Sequence, residues 1–198
     1  IYGLTKGQYS PTSEIGKVTK STPYGSIDYP FNPVSLALGA SSTFVARTLD
    51  RDPKHMQATL KRAAEHKGTS FVEVYQNCNV FNDGAFFRFT EKDTKDESVV
   101  FLEHGKPLVF GKEREKGVRL NGFTPEVVSL KDGKWSANDL LVHNEKDTTL
   151  SFILADMTFK PNVPRPVGIF LAIQRPTYEA EMARQISFAK EKRGEGDM

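Results

Sequence analysis

Hydrophobic and polar positions change their rhythm along the chain. Between residues 43 and 75 the rhythm is that of an α/β unit. Residues 43–49 (TFVARTL) form an apolar run suited to a strand. Asp50, Asp52 and Pro53 then signal a turn and a helix start, with Asp52 as N-cap and Pro53 at the first position. The spacing of Met56, Leu60, Ala63 and Ala64 predicts a helix over 53–66, closed by Lys67-Gly68 with Gly68 as a left-handed cap. Residues 70–75 (SFVEVY) predict a second strand, apolar enough to be buried on both faces. Strand, helix and strand at this spacing predict a right-handed βαβ crossover with parallel strands. Ligands of such sheets bind beyond the carboxyl ends of the strands. The second strand ends at Gln76-Asn77-Cys78, which puts Cys78 at that edge.

Flanking segments read differently. Residues 34–40 are a short apolar helix candidate after Pro33, with Gly39 near its end. Residues 92–97 (KDTKDE) read as a solvated turn or loop. Beyond them, 99–102, 107–110, 118–120 and 127–130 predict short strands separated by turns at Gly105, Gly111, Gly117 and Asp132-Gly133. Residues 149–157 (TLSFILADM) fit helix or strand equally. Pro161, Pro164 and Pro166 mark a loop, 167–173 a buried strand, and 177–192 a final helix. The first 33 residues carry Pro11, Pro23, Pro30 and Pro33 among Gly, Ser and Thr, which excludes continuous helix or central strand there. Their aromatics, Tyr2, Tyr9, Tyr24, Tyr29 and Phe31, argue for an ordered, ligand-facing loop. The fold class expected is α/β, with a mostly parallel sheet flanked by helices and a β-rich insert. The division expected is residues 1–83 as one core portion and 84–198 as a region holding the insert and the final strand and helix.

Composition narrows the function classes. The 198 residues carry 27 basic and 25 acidic side chains, a net charge of +2. That balance gives no electrostatic basis for binding nucleic acid or a membrane surface. No apolar run is long enough to span a bilayer, and the first residues lack a signal peptide's pattern. The single cysteine, Cys78, makes no intrachain disulfide, so a cytoplasmic setting is the expectation. The chain opens on Ile1-Tyr2, which reads as the tail of a strand begun earlier. It is therefore expected to be an N-terminally truncated domain.

Three features carry candidate chemistry. Gly3-Leu4-Thr5-Lys6-Gly7-Gln8 places two glycines around a hydroxyl and an ammonium. Backbone N–H groups, Thr5 and Lys6 could cradle an anion there, or the segment could be an ordinary tight turn. Cys78 could be a small buried hydrophobe or one ligand of a cluster whose other thiolates lie elsewhere. Lys54-His55 falls in the first helical turn, where a cation opposes the macrodipole unless an anionic ligand sits at that end. His104 and His143 stand alone without partners at metal-ligand spacing.

Four segments together resemble one family. IYGLTKGQYSPTSE at 1–14, ALGASSTFVAR at 37–47, DPKHMQATLKRAAEHKGTSFVEVYQNCNVFND at 52–83 and RPVGIFLAIQRPTYE at 165–179 are similar to the C-terminal part of the thiamine-diphosphate-binding β subunit of 2-oxoacid:ferredoxin oxidoreductases. YGLTKGQ with YQNC and FND resembles the 2-oxoglutarate type. The resemblance implies oxidative decarboxylation of a 2-oxoacid to an acyl-CoA. It implies thiamine diphosphate, Mg²⁺ and a [4Fe–4S] cluster as cofactors. Its partners would be an α subunit, ferredoxin, the 2-oxoacid and coenzyme A. It also implies roles by position: the Ile1 carbonyl on Mg²⁺, Leu4 at the substrate, Thr5 at the diphosphate, Lys6 at the reacting centre, Lys54 in coenzyme A handling and Cys78 as fourth cluster ligand. The Gly-Asp-Gly stretch, the paired asparagines and the three further cysteines of that family are not in this sequence. The 198 residues alone are accordingly expected to be inactive. A thiamine enzyme without redox chemistry, which would not need Cys78 as a ligand, and a non-catalytic α/β assembly subunit are the competing readings.

Overall fold

The computed structural model describes residues 7–196. Asn32 starts the first helix: its side chain accepts from the Ser35 N–H and Pro33 takes the first position of α1 (Pro33–Gly39). The apolar run that follows is β1 (Phe44–Leu49), hidden at all six positions. Asp52 accepts from the His55 N–H and opens α2 (Pro53–Glu65), which leads to β2 (Ser70–Tyr75). The helix ends on His66, in extended conformation, so Gly68 is not its cap. Gly68 is needed for close approach instead: a Cβ there would lie 2.4 Å from Thr43 Oγ1.

Two short helices come next, α3 (Phe87–Thr90) and α4 (Lys92–Ser98). The expected loop at 92–97 is thus a helix. Its charged residues are the solvated face of that turn, and Lys95 reaches back to Asp52 at 3.7 Å. The insert follows as β3 (Val99–Leu102), β4 (Val109–Phe110), β5 (Lys116–Asn121) and β6 (Thr124–Ser129). The ambiguous segment is helical, α5 (Thr148–Asp156). Asp147 caps it by accepting from the Leu150 N–H, and Ser151 Oγ donates to the Phe170 carbonyl at 2.6 Å. The chain closes with β7 (Arg165–Ala172) and α6 (Tyr178–Arg193). Pro166, expected in a loop, is the second residue of β7. Proline is tolerated at a strand's start, where its missing N–H costs least.

The main sheet has the order β2-β1-β7-β3, and a second sheet has the order β4-β5-β6. β1 and β2 run parallel, β7 runs antiparallel to β1, and β3 runs parallel to β7. The carboxyl ends of β1 and β2 therefore share one edge with the amino ends of β7 and β3. Strands from both sides of residue 83 contribute to this sheet.

Helices cover both faces. Phe44, Ala46 and Ile169 pack toward Ala63 of α2, while Val45, Phe170 and Leu171 pack with Val34 and Leu38 of α1 and Leu154 of α5. A register shift between Val45 and Ala46 sends the adjacent residues Phe170 and Leu171 into the same core. Gly168 makes the close pairing of β7 with the end of β3 possible, since a Cβ there would stand 2.8 Å from the Leu102 carbonyl oxygen. Leu108, Phe110 and Val118 of the insert join this core, so the insert is packed onto the sheet rather than set apart.

β2 differs from its expected burial. It is an edge strand, and of its six residues only Tyr75 is buried. Apolar content at a strand reports a covered face, but the neighbours that cover it are set by topology.

Candidate functional site

The shared edge of the main sheet carries a cleft of about 380 Å³. Its walls come from four places: Ser10, Thr12 and Phe31 of the first loop, Glu73 to Gln76 at the end of β2, Cys78 and Phe86 after it, and Thr158, Phe159 and Arg165 around the start of β7.

The cysteine loop is built from asparagine side chains. The Asn77 N–H donates to Asp50 Oδ2 at 3.0 Å, anchoring the loop to the β1–α2 turn. Asn77 Nδ2 donates to Asp83 Oδ1 at 2.7 Å, and its Oδ1 accepts from the Gly84 N–H at 2.9 Å. Cys78 and Asn82 form an isolated bridge, with the Asn82 N–H on the Cys78 carbonyl at 3.0 Å. Lys17 Nζ donates to Asn82 Oδ1 at 2.7 Å and ties the first loop to this one. Within the turn, backbone N–H groups of Phe81, Val80 and Asn82 face the half-exposed Cys78 sulfur and push its thiol below the ordinary value of 9.0. These donors stabilise a thiolate, the form that ligates metals.

Two arginines serve the cleft, Arg165 in its wall and Arg47 behind it. Arg47, fully buried in mid-β1, donates from Nε to Glu73 Oε2 at 2.6 Å, from Nη1 to the Pro166 carbonyl at 3.0 Å and from Nη2 to Thr158 Oγ1 at 3.0 Å. Arg165 donates from Nη1 to the Tyr75 hydroxyl at 2.5 Å, and its guanidinium lies 4.6 Å from the Phe89 ring centre and 5.8 Å from that of Phe159. Tyr75 stacks on Phe86 with ring centres 4.4 Å apart. Burial, chiefly, holds the Arg165 guanidinium below its ordinary value, and the charge of Arg47 adds to this.

The residues singled out from the sequence divide into three groups. Ile1, Leu4, Thr5 and Lys6 lie outside the described residues. Cys78 lies on the cleft wall, at the strand end where the βαβ pattern places it. Lys54 sits at the start of α2, exposed and at the same edge, but it is not part of the cleft wall. Its neighbour His55 is turned inward: Nδ1 meets Thr48 Oγ1 at 2.8 Å, and the ring packs on Phe101 at 5.4 Å. Burial lowers its pKa, so a neutral imidazole rather than a second cation occupies that helix end. Sequence reasoning missed Arg47, Glu73 and Arg165. A signal existed for the first two. Each is the one charged residue of an otherwise charge-free strand, and the β1–β2 register sets them opposite each other.

Among the described residues no group of three or more His, Cys, Asp or Glu could hold a metal ion, so Cys78 offers one ligand only. No helix among them is long and apolar enough to cross a membrane.

The fold and the site can be set against known proteins. Residues 1–74 match the family model described as thiamine pyrophosphate enzyme, C-terminal TPP binding domain. The chain is 46% identical over 192 residues to the 2-oxoglutarate oxidoreductase subunit KorB of Mycobacterium tuberculosis, covering 96% of this chain and 51% of that protein. It is 46% identical over 83 residues to the 2-oxoacid:ferredoxin oxidoreductase subunit beta of Saccharolobus solfataricus, covering 42% of this chain and 27% of that one. Among solved structures, the 2-oxoglutarate:ferredoxin oxidoreductase from Magnetococcus marinus, described with 2-oxoglutarate, coenzyme A and succinyl-CoA bound, matches with a TM-score of 0.64 and 26% identity over 98% of this chain and 50% of that one. The chain spans about half the length of the Mycobacterium tuberculosis protein. By sequence and by fold, it is similar to the β subunits of the 2-oxoacid:ferredoxin oxidoreductases.

Proposed function

We propose that this chain works as part of the β subunit of a cytoplasmic 2-oxoglutarate:ferredoxin oxidoreductase, which converts a 2-oxoacid and coenzyme A to an acyl-CoA and carbon dioxide and passes the electrons to ferredoxin. The observation that carries the reading is the position and state of Cys78. It lies on the wall of the cleft at the strand ends, and backbone N–H groups within its own turn favour its thiolate.

That environment fits a cluster ligand. Cys78 would supply one thiolate to a [4Fe–4S] cluster, and hydrogen bonds at its sulfur are among the factors that tune such a centre. The other three ligands would come from residues outside this chain, and the α subunit would be the assembly partner. A cytoplasmic setting keeps such a thiol reduced. Thiamine diphosphate, when bound, supplies the chemistry that releases carbon dioxide from the 2-oxoacid. Ile1 would present its carbonyl to Mg²⁺ and Thr5 would face the diphosphate. Leu4 would border the substrate. Lys6 would hold positive charge where negative charge develops. Lys54, exposed at the start of α2, would meet coenzyme A. The family model that begins at residue 1 supports this placement of residues 1–6.

The test is 2-oxoglutarate- and coenzyme A-dependent reduction of ferredoxin by the full-length β subunit assembled with its α subunit. Activity should be present there and lacking in the 198-residue chain alone. Lys6→Met should lower turnover at least tenfold with little change in thiamine diphosphate binding. Turnover by the 198 residues alone, or full activity of the Lys6→Met enzyme, would refute these assignments.

A further inference from the structure

The cleft holds a charge imbalance that its own side chains do not resolve. Two guanidinium groups, Arg165 in its wall and Arg47 behind it, have one carboxylate wall residue, Glu73, between them. Glu73 is committed to Arg47 at 2.6 Å. Arg47 is further held by the Pro166 carbonyl and Thr158. Arg165 is left with a single hydrogen bond, to the Tyr75 hydroxyl, and no carboxylate forms an ion pair with it among the described residues. A guanidinium has five N–H donors in a planar fork suited to two oxygens at once. The rings of Tyr75, Phe89 and Phe159 lie against this half-buried one. Burial disfavours its charge, as does the charge of Arg47, and Tyr75 and the more distant Glu73 offset this only in part. A cation with no carboxylate of its own is costly to bury even in part, and an oxyanion in the cleft would offset that cost. The rest of the lining is suited to one. Ser10, Thr12 and Gln76 bring neutral polar groups, and Phe31 and Phe86 bring apolar surface for an organic body.

We infer that Arg165 anchors the oxyanion of an organic ligand in this cleft, either a carboxylate or a phosphate ester. The anion site stands on the cleft's geometry. The choice of ligands rests on the proposed function, in which 2-oxoglutarate supplies carboxylates and coenzyme A supplies phosphates. Tyr75 is the positioning residue: its hydroxyl takes one Nη1 donor and leaves Nε and Nη2 for the ligand.

The experiment is titration calorimetry on the full-length β subunit assembled with its α subunit, using 2-oxoglutarate, coenzyme A and inorganic phosphate separately. Wild type, Arg165→Gln and Arg165→Lys are compared, with the melting temperature as a check on folding. One organic ligand should bind wild type and lose at least tenfold in affinity to Arg165→Gln, with part of the loss recovered by Arg165→Lys. Loss confined to coenzyme A identifies a phosphate source, and loss confined to 2-oxoglutarate a carboxylate source. Because a glutamine could loosen the cleft, Tyr75→Phe is the second variant. It should weaken the same ligand by a few-fold at an unchanged melting temperature. Phosphate binding that depends on Arg165, without binding of either organic ligand, would uphold the anion site while overturning the proposed substrates. Equal binding of all three by wild type and Arg165→Gln would overturn the inference and leave the proposed function standing. No binding of any of the three to wild type would overturn both.

Discussion

β1 and β2 are neighbours of the same length and similar composition, yet they occupy different physical environments. β1 is covered on both faces and flanked by strands on both sides, and all six of its residues are buried. β2 is flanked on one side only, and five of its six residues keep partial or full exposure. The charges follow the same division. Arg47 of β1 has no contact with solvent and spends its donors on Glu73, Pro166 and Thr158. Glu73 of β2 meets it from the cleft side with partial exposure. The comparison teaches that β1 is the structural axis and that β2 borders the cleft, because the end of β2 forms part of its wall.

The strongest way to break this contrast is to remove the Arg47 guanidinium. Arg47→Ala would leave Glu73 without its partner and empty the space between Tyr75 and Phe170, at a cost of about 3–5 kcal/mol. Urea unfolding of the 198-residue chain measures it, and a loss under about 1 kcal/mol would mean that the ion pair is not the axis of the sheet.

Truncation on the two strands should come next. Leu49, 1% exposed at the end of β1, should lose about 2–5 kcal/mol on change to alanine. Val74, 39% exposed on β2, should change stability by no more than about 0.5 kcal/mol on the same change. Equal losses would show β2 to be as covered in solution as β1.

A smaller effect comes from pH. Burial lowers the pKa of His55, which packs on β1 through Thr48. It also lowers that of His143, whose Nε2 donates to the Ile169 carbonyl. Both histidines bind protons more readily when unfolded, so stability rises with pH through this range. It should be complete above 6.5, their ordinary value, and decline as pH falls below it. Urea midpoints at pH 7.5 and 5.5 check the sign, and a higher midpoint at 5.5 would contradict it.

The same contrast explains what could be read before any coordinates. β1, α2 and β2 were legible because each carries its own period and its own start and stop residues, Asp52 and Pro53 above all. Cys78 was legible as an edge residue because a βαβ unit fixes which end of a strand faces ligands. The exposure of β2 was not, since it depends on β7, some 90 residues later, taking the other side of β1. Arg165 was hidden for the same reason: only β7 running antiparallel to β1 brings it to the Tyr75 hydroxyl. The helix at Lys92–Ser98 was missed because its charges carry no apolar stripe. The first loop's aromatics suggested order, and the described part does place Ser10, Thr12 and Phe31 on the cleft, while Tyr24 and Tyr29 remain exposed.

The central claim is that Cys78 is a cluster ligand in a redox subunit rather than a small residue in a turn. The most direct measurement is iron and acid-labile sulfide content, with the low-temperature electron paramagnetic resonance spectrum, of the full-length β subunit assembled with its α subunit, as wild type and as Cys78→Ser. Wild type should carry a reducible four-iron cluster. Cys78→Ser should lose it or keep a depleted one, while the melting temperature of the 198-residue chain stays unchanged. A Cys78→Ser subunit with the full iron content and an unaltered spectrum would contradict the claim.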